Sequence, residues 1–235
     1  MRHAARAGLL NILALLVVCT LPLEARAATT VVWVSVDGLS PKYLDRADTP
    51  FFDRLAAEGA FTRQLAPSFP SLTFPSHVSQ ATGVPVARHG VSGNTFFDTA
   101  TGELYRYPWD AALMQAEPIW LTASRQGVRT AVWDWPLSHA QRGTVRAEYF
   151  GPRFIPTLSD RERVDALLDA WRHDLEHRAN EPPLRLLMGY IVGPDAAGHQ
   201  FGPDAQEPLE QTMAADALLR HLHDEALALW ERRRT

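Results

Sequence analysis

A threonine hydroxyl stands at the predicted start of a helix in residues 71–77, Ser-Leu-Thr-Phe-Pro-Ser-His. Residues 74–82, followed by Gly83, can form a helix whose first turn tolerates Pro75, because the N–H that proline lacks would be unpaired there. Thr73 therefore lies at or next to the N-cap, where threonine often serves only as a cap. The alternative is a nucleophile, since the free N–H groups and partial positive charge of a helix N-terminus bind anions.

A carboxylate and an imidazole, Asp195 and His199, stand four residues apart in a Gly- and Pro-containing segment that we predict to be an irregular loop after a strand. Groups of these types at this spacing suit zinc. A second carboxylate, Asp37, directly follows another predicted strand, where open α/β sheets place their ligands, although an Asp in a turn is the equal alternative. Because these segments adjoin strands at the same edge of the predicted sheet, we expect the carboxylates, the imidazole and the Thr73 hydroxyl to converge there.

An amide side chain, Asn94, follows two nearby glycines in His89-Gly90-Val91-Ser92-Gly93-Asn94. Glycines let the backbone fold tightly, which can aim the amide into a site. A simple turn residue is the alternative interpretation of Asn94.

Three apolar runs predict the strands that must position these groups: residues 31–36, 130–133 and 184–192. The first run is rich in β-branched residues and predicts a buried central strand. Residues 95–120 contain several aromatic side chains without a clear period, which predicts an irregular insertion that packs in the core or walls a pocket.

Helical patterns alternate with these strands. Helices are predicted after Thr49-Pro50, after Thr73, after the capping box formed by Ser159 and Glu162, and over residues 209–233. This alternation predicts one α/β domain, a mostly parallel sheet with helices on both faces. Because such a unit usually returns to the sheet after a helix, we expect the sheet to lack at least one strand.

The first 27 residues have the features of a secretory signal peptide. Arg2 and Arg6 precede an apolar stretch, and residues 25–27, Ala-Arg-Ala, form a cleavage site. We expect an exported protein, periplasmic or secreted, without a membrane span after leader cleavage; an N-terminal anchor is the alternative. The sole cysteine, Cys19, lies in this leader, so the mature chain needs no disulfide. A net charge of −4 overall, and about −6 without the leader, argues against nucleic-acid and anionic-membrane binding.

The motifs, taken in order, resemble those of the type I phosphodiesterase/nucleotide pyrophosphatase family of the alkaline phosphatase superfamily. The matching stretches are Val36-Asp37-Gly38, Thr73-Phe74-Pro75-Ser76-His77 with Thr82-Gly83, His89-Gly90 with Asn94, Trp135-Pro136, and residues 194–203. Each stretch alone is weak evidence for the family, whereas their combination in this order is strong evidence. The resemblance implies that residues 28–235 are the N-terminal part of an alkaline-phosphatase-like domain, incomplete at its C-terminus.

The resemblance also implies a site with two zinc ions. Asp37 and the Thr73 oxygen would ligate one ion, and Asp195 with His199 would ligate the other. The family takes further ligands from an Asp-His-Gly segment and a later histidine, and neither has a counterpart in this sequence. Zinc sites normally have at least three protein ligands, so we expect weak or absent zinc binding and impaired activity.

For catalysis, the resemblance implies that Thr73 attacks phosphorus and forms a phosphothreonine intermediate. Asn94 and the backbone N–H of Phe74 would hold a non-bridging phosphate oxygen. The expected substrate is a small phosphodiester or pyrophosphate of nucleotide type, and the resemblance gives no oligomeric state. Ser76 stands where the family often has Asn and Leu137 where it often has Gly; we expect both to be tolerated.

Two other functions stay open at this point. One is a non-catalytic family member that binds phosphate or a partner. The other is a phosphomonoesterase, which would need an additional cation that we cannot place on any Arg or Lys. A sulfatase is disfavoured because no cysteine follows the leader.

Overall fold

A parallel four-stranded sheet runs through the computed structural model, which describes residues 29–139, 141 and 143–234. The predicted signal peptide, residues 1–27, lies outside the described residues. Strand β1 (Val31–Val36) pairs with β6 (Leu184–Ile191), β6 pairs with β4 (Arg129–Val132), and β4 pairs with β5 (Tyr149–Phe150). In the first pairing Val31 lies opposite Leu186 and Val36 opposite Ile191, so β1 and β6 end at the same edge.

Helices cover both faces of this sheet. Helices α6 (Asp160–His177) and α8 (Glu207–Arg234) pack on one face, where Leu187 and Ile191 of β6 are buried. On the other face, Leu186 and Met188 join a second core that receives α3 (Thr73–Thr82) and α5 (Ile119–Arg125). Burying each such side chain stabilises the fold by about 1.5–3 kcal/mol. The predicted mostly parallel sheet with helices on both faces is confirmed.

The remaining helices and strands are short. They are α1 (Pro41–Leu44), α2 (Pro50–Glu58), α4 (Val86–His89), β2 (Thr95–Asp98), β3 (Glu103–Arg106) and α7 (Gly193–Phe201). The predicted capping box is present: the Ser159 hydroxyl accepts the Glu162 N–H, and the Glu162 carboxylate accepts the Ser159 N–H. A proline opens α2, as its sequence predicted.

Helix α8 is the longest element of the described chain, with 28 residues. Its buried side chains recur every three or four residues, at Leu218, Leu222, Ala226 and Leu229, and they face α6 and the sheet. This spacing produces an amphipathic helix. Within the described residues, no helix combines the length and apolar character needed to cross a bilayer.

Three local predictions were wrong. Strand β1 was predicted to be central, and among the described residues it is an edge strand whose Val31 side chain is 52 % exposed. Residues 95–120 were predicted to be irregular, and they contain the antiparallel pair β2–β3 and a 3-10 turn. The segment that begins at Gly193 was also predicted to be irregular and forms α7, because proline is compatible with the first helical turn.

Candidate active site

Thr73 and Asp37 meet at the start of α3. Thr73 is the first residue of that helix, and its N-cap is Leu72, whose side chain cannot cap. The Thr73 hydroxyl instead donates a 3.1 Å hydrogen bond to Oδ2 of Asp37. Asp37 directly follows β1, and its N–H extends the β1–β6 pairing by donating to Ile191 O at 2.9 Å. The interpretation of Thr73 as only a cap is therefore wrong.

A glycine brings the loop after β1 against α7. Gly38 has φ +68°, and a Cβ at this position would lie 2.6 Å from Cα of Asp195. Only a residue without a side chain permits this approach. The contact places Asp195 near Asp37, and burial together with the Asp37 charge raises the pKa of the Asp195 carboxyl. Two like charges share the site, which favours a cation or a proton there.

His199 lies one turn after Asp195 on the same face of α7, since residues four apart are neighbours on a helix. Its Nε2 lies 3.5 Å from Oδ1 of Asp195, and its side chain is 84 % exposed. Forming a helix therefore keeps the predicted pair together, although the segment was predicted to be irregular.

Asn94 reaches the same place from the loop before β2. Its side-chain oxygen accepts the Phe74 N–H at 2.9 Å, and its backbone oxygen accepts the Tyr107 N–H. The backbone of Asn94 thus extends the antiparallel pairing of the segments at residues 95–98 and 103–106, and its side chain is directed at the start of α3. The Phe74 N–H, predicted to bind phosphate together with Asn94, is here bonded to Asn94 itself.

The predicted side chains share one cleft. The cleft has a volume of about 1640 Å³, and its lining includes Asp37, Thr73, Asn94, Asp195 and His199. The spatial convergence expected from sequence is therefore present, whereas the chemical role of each side chain stays a prediction.

The candidate metal ligands are of suitable chemical types, but they are grouped in twos. Carboxylate oxygens, a hydroxyl and an imidazole are groups that zinc accepts. Burial, and then the charge of Asp37, raises the pKa of Asp195, and a cation would offset both effects. Among the residues that the structure describes, no three His, Cys, Asp or Glu side chains gather as a complete metal site. The donors present are Asp37 with Thr73, and Asp195 with His199.

Tyr190 is a site residue that the sequence analysis missed. Its hydroxyl donates a 2.6 Å hydrogen bond to Oδ2 of Asp37, the oxygen that also accepts from Thr73. Burial, and then the Asp37 charge, raises the pKa of this phenol far above its ordinary value, so it remains a donor. In the sequence, Tyr190 has the appearance of one more core residue of β6. Its hydroxyl, placed near the end of the strand, could have indicated a role in the site.

His77 was also missed, although it lies one turn after Thr73. Its Nδ1 is 2.8 Å from the Thr73 carbonyl oxygen, which can only accept, so Nδ1 carries the proton. Its Nε2 then accepts from the Ser35 hydroxyl at 2.8 Å. The imidazole is buried, and the backbone carbonyl oxygen of His77 accepts the Trp135 indole N–H. His77 therefore ties the first turn of α3 to β1, and the spacing of four from Thr73 could have indicated it.

Comparison with known proteins agrees with this architecture. The parallel sheet, its covering helices and the site at the ends of β1 and β6 place the chain in the alkaline-phosphatase-like class of α/β folds. Residues 31–229 match the family model described as "Type I phosphodiesterase / nucleotide pyrophosphatase". The chain therefore belongs to this family, as its motifs predicted.

Individual relatives are similar over most of the chain. An uncharacterised pyrophosphatase/phosphodiesterase of Schizosaccharomyces pombe is 37% identical over 76% of this chain and 37% of its own length. Ectonucleotide pyrophosphatase/phosphodiesterase family member 7 of Rattus norvegicus is 30% identical over 86% of this chain and 47% of its own. The chain thus spans less than half the length of these curated relatives.

One solved structure shows the same fold. It is an inactive variant of murine ectonucleotide pyrophosphatase/phosphodiesterase 5 in complex with AMP. It superimposes with a TM-score of 0.76 at 24% identity, covering 86% of this chain and 53% of that chain.

Proposed function

We propose that Thr73 is the nucleophile of a hydrolase that acts on phosphodiester or pyrophosphate bonds of nucleotide-like substrates. The observation that carries this proposal is the hydrogen bond from the Thr73 hydroxyl to Asp37 at the start of α3. A hydroxyl bonded to a carboxylate, at a helix end that favours anions, suits attack on a phosphate.

The bonds and protons balance over two steps. The Thr73 oxygen attacks phosphorus, its proton passes to Oδ2 of Asp37, and the bond to the leaving oxygen breaks as that oxygen takes a proton from solvent, to which Asp37 then releases its own. Water next attacks the phosphothreonine and breaks its P–O bond; one proton of that water goes to the Thr73 oxygen, which restores the hydroxyl and releases a phosphomonoester. Zinc, when bound by Asp37 with Thr73 and by Asp195 with His199, supplies Lewis-acid stabilisation and lowers the pKa of the hydroxyl.

Asn94 supports the same proposal as a substrate-binding group. Its Oδ1 accepts the Phe74 N–H, which leaves its amide N–H groups as donors to a non-bridging phosphate oxygen. The Phe74 N–H joins it if the bond to Asn94 is exchanged for one to the substrate.

The nucleotide-like substrate is inferred from relatives. Family member 7 is named an ectonucleotide pyrophosphatase/phosphodiesterase, and murine member 5 was solved with AMP. The proposal also includes two expectations from the sequence. Residues 28–235 form the N-terminal part of the domain, and the protein is exported to the periplasm or the medium. The proposed partner is a small-molecule substrate, and no nucleic-acid binding is proposed.

A second candidate is a non-catalytic protein that binds phosphate. It is favoured by one observation, that the described donors form pairs and no group of three. Zinc titration of the purified chain separates the candidates. Two equivalents bound with sub-micromolar affinity and turnover of a p-nitrophenyl phosphodiester support the hydrolase, whereas phosphate binding without turnover supports the second candidate.

Substitution of the nucleophile tests the catalytic role. We expect Thr73→Ala to lower the rate of p-nitrophenol release by about 1000-fold or more, because the attacking oxygen is removed. The matched control is Thr82→Ala at the other end of α3, where the hydroxyl donates only to the Val78 carbonyl oxygen. Turnover at the wild-type rate in Thr73→Ala, or an equal loss in both variants, would reject the role of Thr73.

A further inference from the structure

The start of α7 is capped by a residue from another helix. The N-cap of α7 is Val192, whose apolar side chain makes no capping hydrogen bond. Asp160, the first residue of α6, takes this role across 32 residues of chain: Oδ1 accepts the Val192 N–H at 2.9 Å. Its Oδ2 accepts the Gly193 N–H at 2.8 Å. One carboxylate thus satisfies two consecutive N–H groups that the helix itself cannot pair.

The contact between Asp160 and α7 has no free space. A Cβ on Gly193 would lie 2.9 Å from Oδ2 of Asp160 and 2.7 Å from Oε1 of Gln211. Both separations are shorter than a Cβ tolerates, so even a methyl group would push on the Asp160 carboxylate and the Gln211 side-chain amide. The start of α7 therefore packs directly against the side chain that caps it.

Asp160 also lies beside a buried cation. Nε of Arg163 lies 3.8 Å from Oδ1 of Asp160, and the side chain of Arg163 is 1 % exposed. The same guanidinium pairs with Asp134, beyond the end of β4, and donates to the carbonyl oxygens of Ile155 and Leu158 at 2.7 and 3.1 Å. A charged network therefore connects α7 to the sheet.

We propose that Asp160 is a positioning residue that sets the placement of α7 and thereby holds Asp195 and His199 against the Asp37–Thr73 pair. Asp195 lies two residues after Gly193, and the loop after β1 touches its Cα, so a small shift of α7 separates the two pairs. The anchoring of α7 stands on the contacts above, and its importance for metal binding rests on the proposed function.

The chain offers a closely matched control for this role. Asp216 of α8 is 4% exposed, and its two oxygens accept the N–H groups of Phe51 and Phe52 at 3.2 and 2.8 Å. It therefore caps the start of α2 with the same two-oxygen geometry. Helix α2 carries none of the predicted metal ligands, so Asp216→Asn removes an equivalent cap without moving them.

The experiment compares Asp160→Asn with Asp216→Asn in the full chain. In Asp160→Asn one carboxylate oxygen becomes an amide NH2 group, which cannot accept a hydrogen bond. We therefore expect faster amide hydrogen exchange over residues 192–201 and unchanged exchange over residues 50–58. Asp216→Asn should give the reverse pattern. Titration with zinc alone, read with a competing chromophoric chelator, should show about tenfold weaker binding for Asp160→Asn, within the range of outer-shell substitutions. Asp216→Asn should keep the wild-type affinity.

Gly193→Ala provides a second variant if Asp160→Asn does not fold, because its methyl group would push the Asp160 carboxylate away from the Gly193 N–H while the carboxylate itself is kept. Equal exchange over residues 192–201 in the two Asp→Asn variants overturns the proposal, and so does wild-type zinc affinity in Asp160→Asn. A wild-type chain that takes up no zinc favours the non-catalytic candidate over the zinc-dependent hydrolase, and hydrogen exchange then decides the anchoring role by itself.

Discussion

The hydroxyl of Tyr190 donates a 2.6 Å hydrogen bond to Oδ2 of Asp37. That oxygen also accepts from the Thr73 hydroxyl, so two donors from different elements fix one carboxylate oxygen. A hydrogen bond to an ionised acceptor is stronger than one between neutral groups. Tyr190 therefore orients the carboxylate that contacts the proposed nucleophile.

Tyr190→Phe tests this orientation, because it removes the hydroxyl and keeps the ring. We expect the free energy of unfolding to fall by about 1.5–3 kcal/mol, the usual cost of losing a hydrogen bond to a charged group. We expect turnover of a p-nitrophenyl phosphodiester to fall by about tenfold, since Asp37 is held less firmly. Urea denaturation and initial rates measure the two quantities.

Tyr43→Phe is the control for Tyr190→Phe. Tyr43 is as buried as Tyr190, at 6 %, but its hydroxyl donates to the backbone oxygen of Pro203. It should lose about 1 kcal/mol of stability and retain most of the turnover. Equal losses of turnover in the two variants would contradict a specific role for Tyr190.

Asn94 has two functions that substitution can separate. Asn94→Asp keeps an oxygen for the Phe74 N–H and replaces the amide donors with a carboxylate oxygen that repels phosphate. We expect its stability to stay within about 0.5 kcal/mol of wild type and kcat/KM to fall by about 100-fold, as when one oxyanion donor is removed. Asn94→Ala should lower both. Denaturation midpoints measure the stability, and initial rates measure kcat/KM. An unchanged kcat/KM in Asn94→Asp would exclude phosphate binding by this amide.

The buried His89 should make the free energy of unfolding depend on pH. It is fully buried, its Nδ1 accepts the Val91 N–H, and its Nε2–H donates to Ser79 at 2.8 Å, so the imidazole is neutral. Burial lowers the pKa of His89 below its ordinary 6.5. The unfolded chain thus takes up a proton near pH 6.5 that the folded chain refuses. The stability contribution is complete above this pH and is lost as pH falls toward the lowered pKa, by at most about 1.4 kcal/mol per pH unit.

The comparison with His89→Gln isolates this effect from other titrating groups. We expect the free energy of unfolding of wild type relative to His89→Gln to decrease from pH 7 to pH 5, measured by urea denaturation at each pH. A difference that stays constant over this range would show that His89 does not bind a proton on unfolding.

Local sequence signals predicted the three main strands of the sheet and four of the helices. The apolar runs located β1, β4 and β6, the Ser159–Glu162 capping box located the start of α6, and Thr73 was placed at the start of α3. These signals operate within a few residues, through side-chain period and capping, so the sequence is sufficient to reveal them. Strand β5 has two residues, too few to produce a period, and the sequence analysis missed it.

The amino-acid sequence by itself determined the types of the main strands and helices, the parallel α/β class and the order of the motifs that identify the family. Only the tertiary structure decided that β1 lies at an edge of the described sheet, that Tyr190 shares an oxygen with Thr73, and that Asp160 caps a helix 32 residues away. Such relations join groups that are far apart in the chain and depend on close approaches such as that of Gly38 to Asp195. No local pattern encodes them, because they exist only after the sheet and its helices have packed.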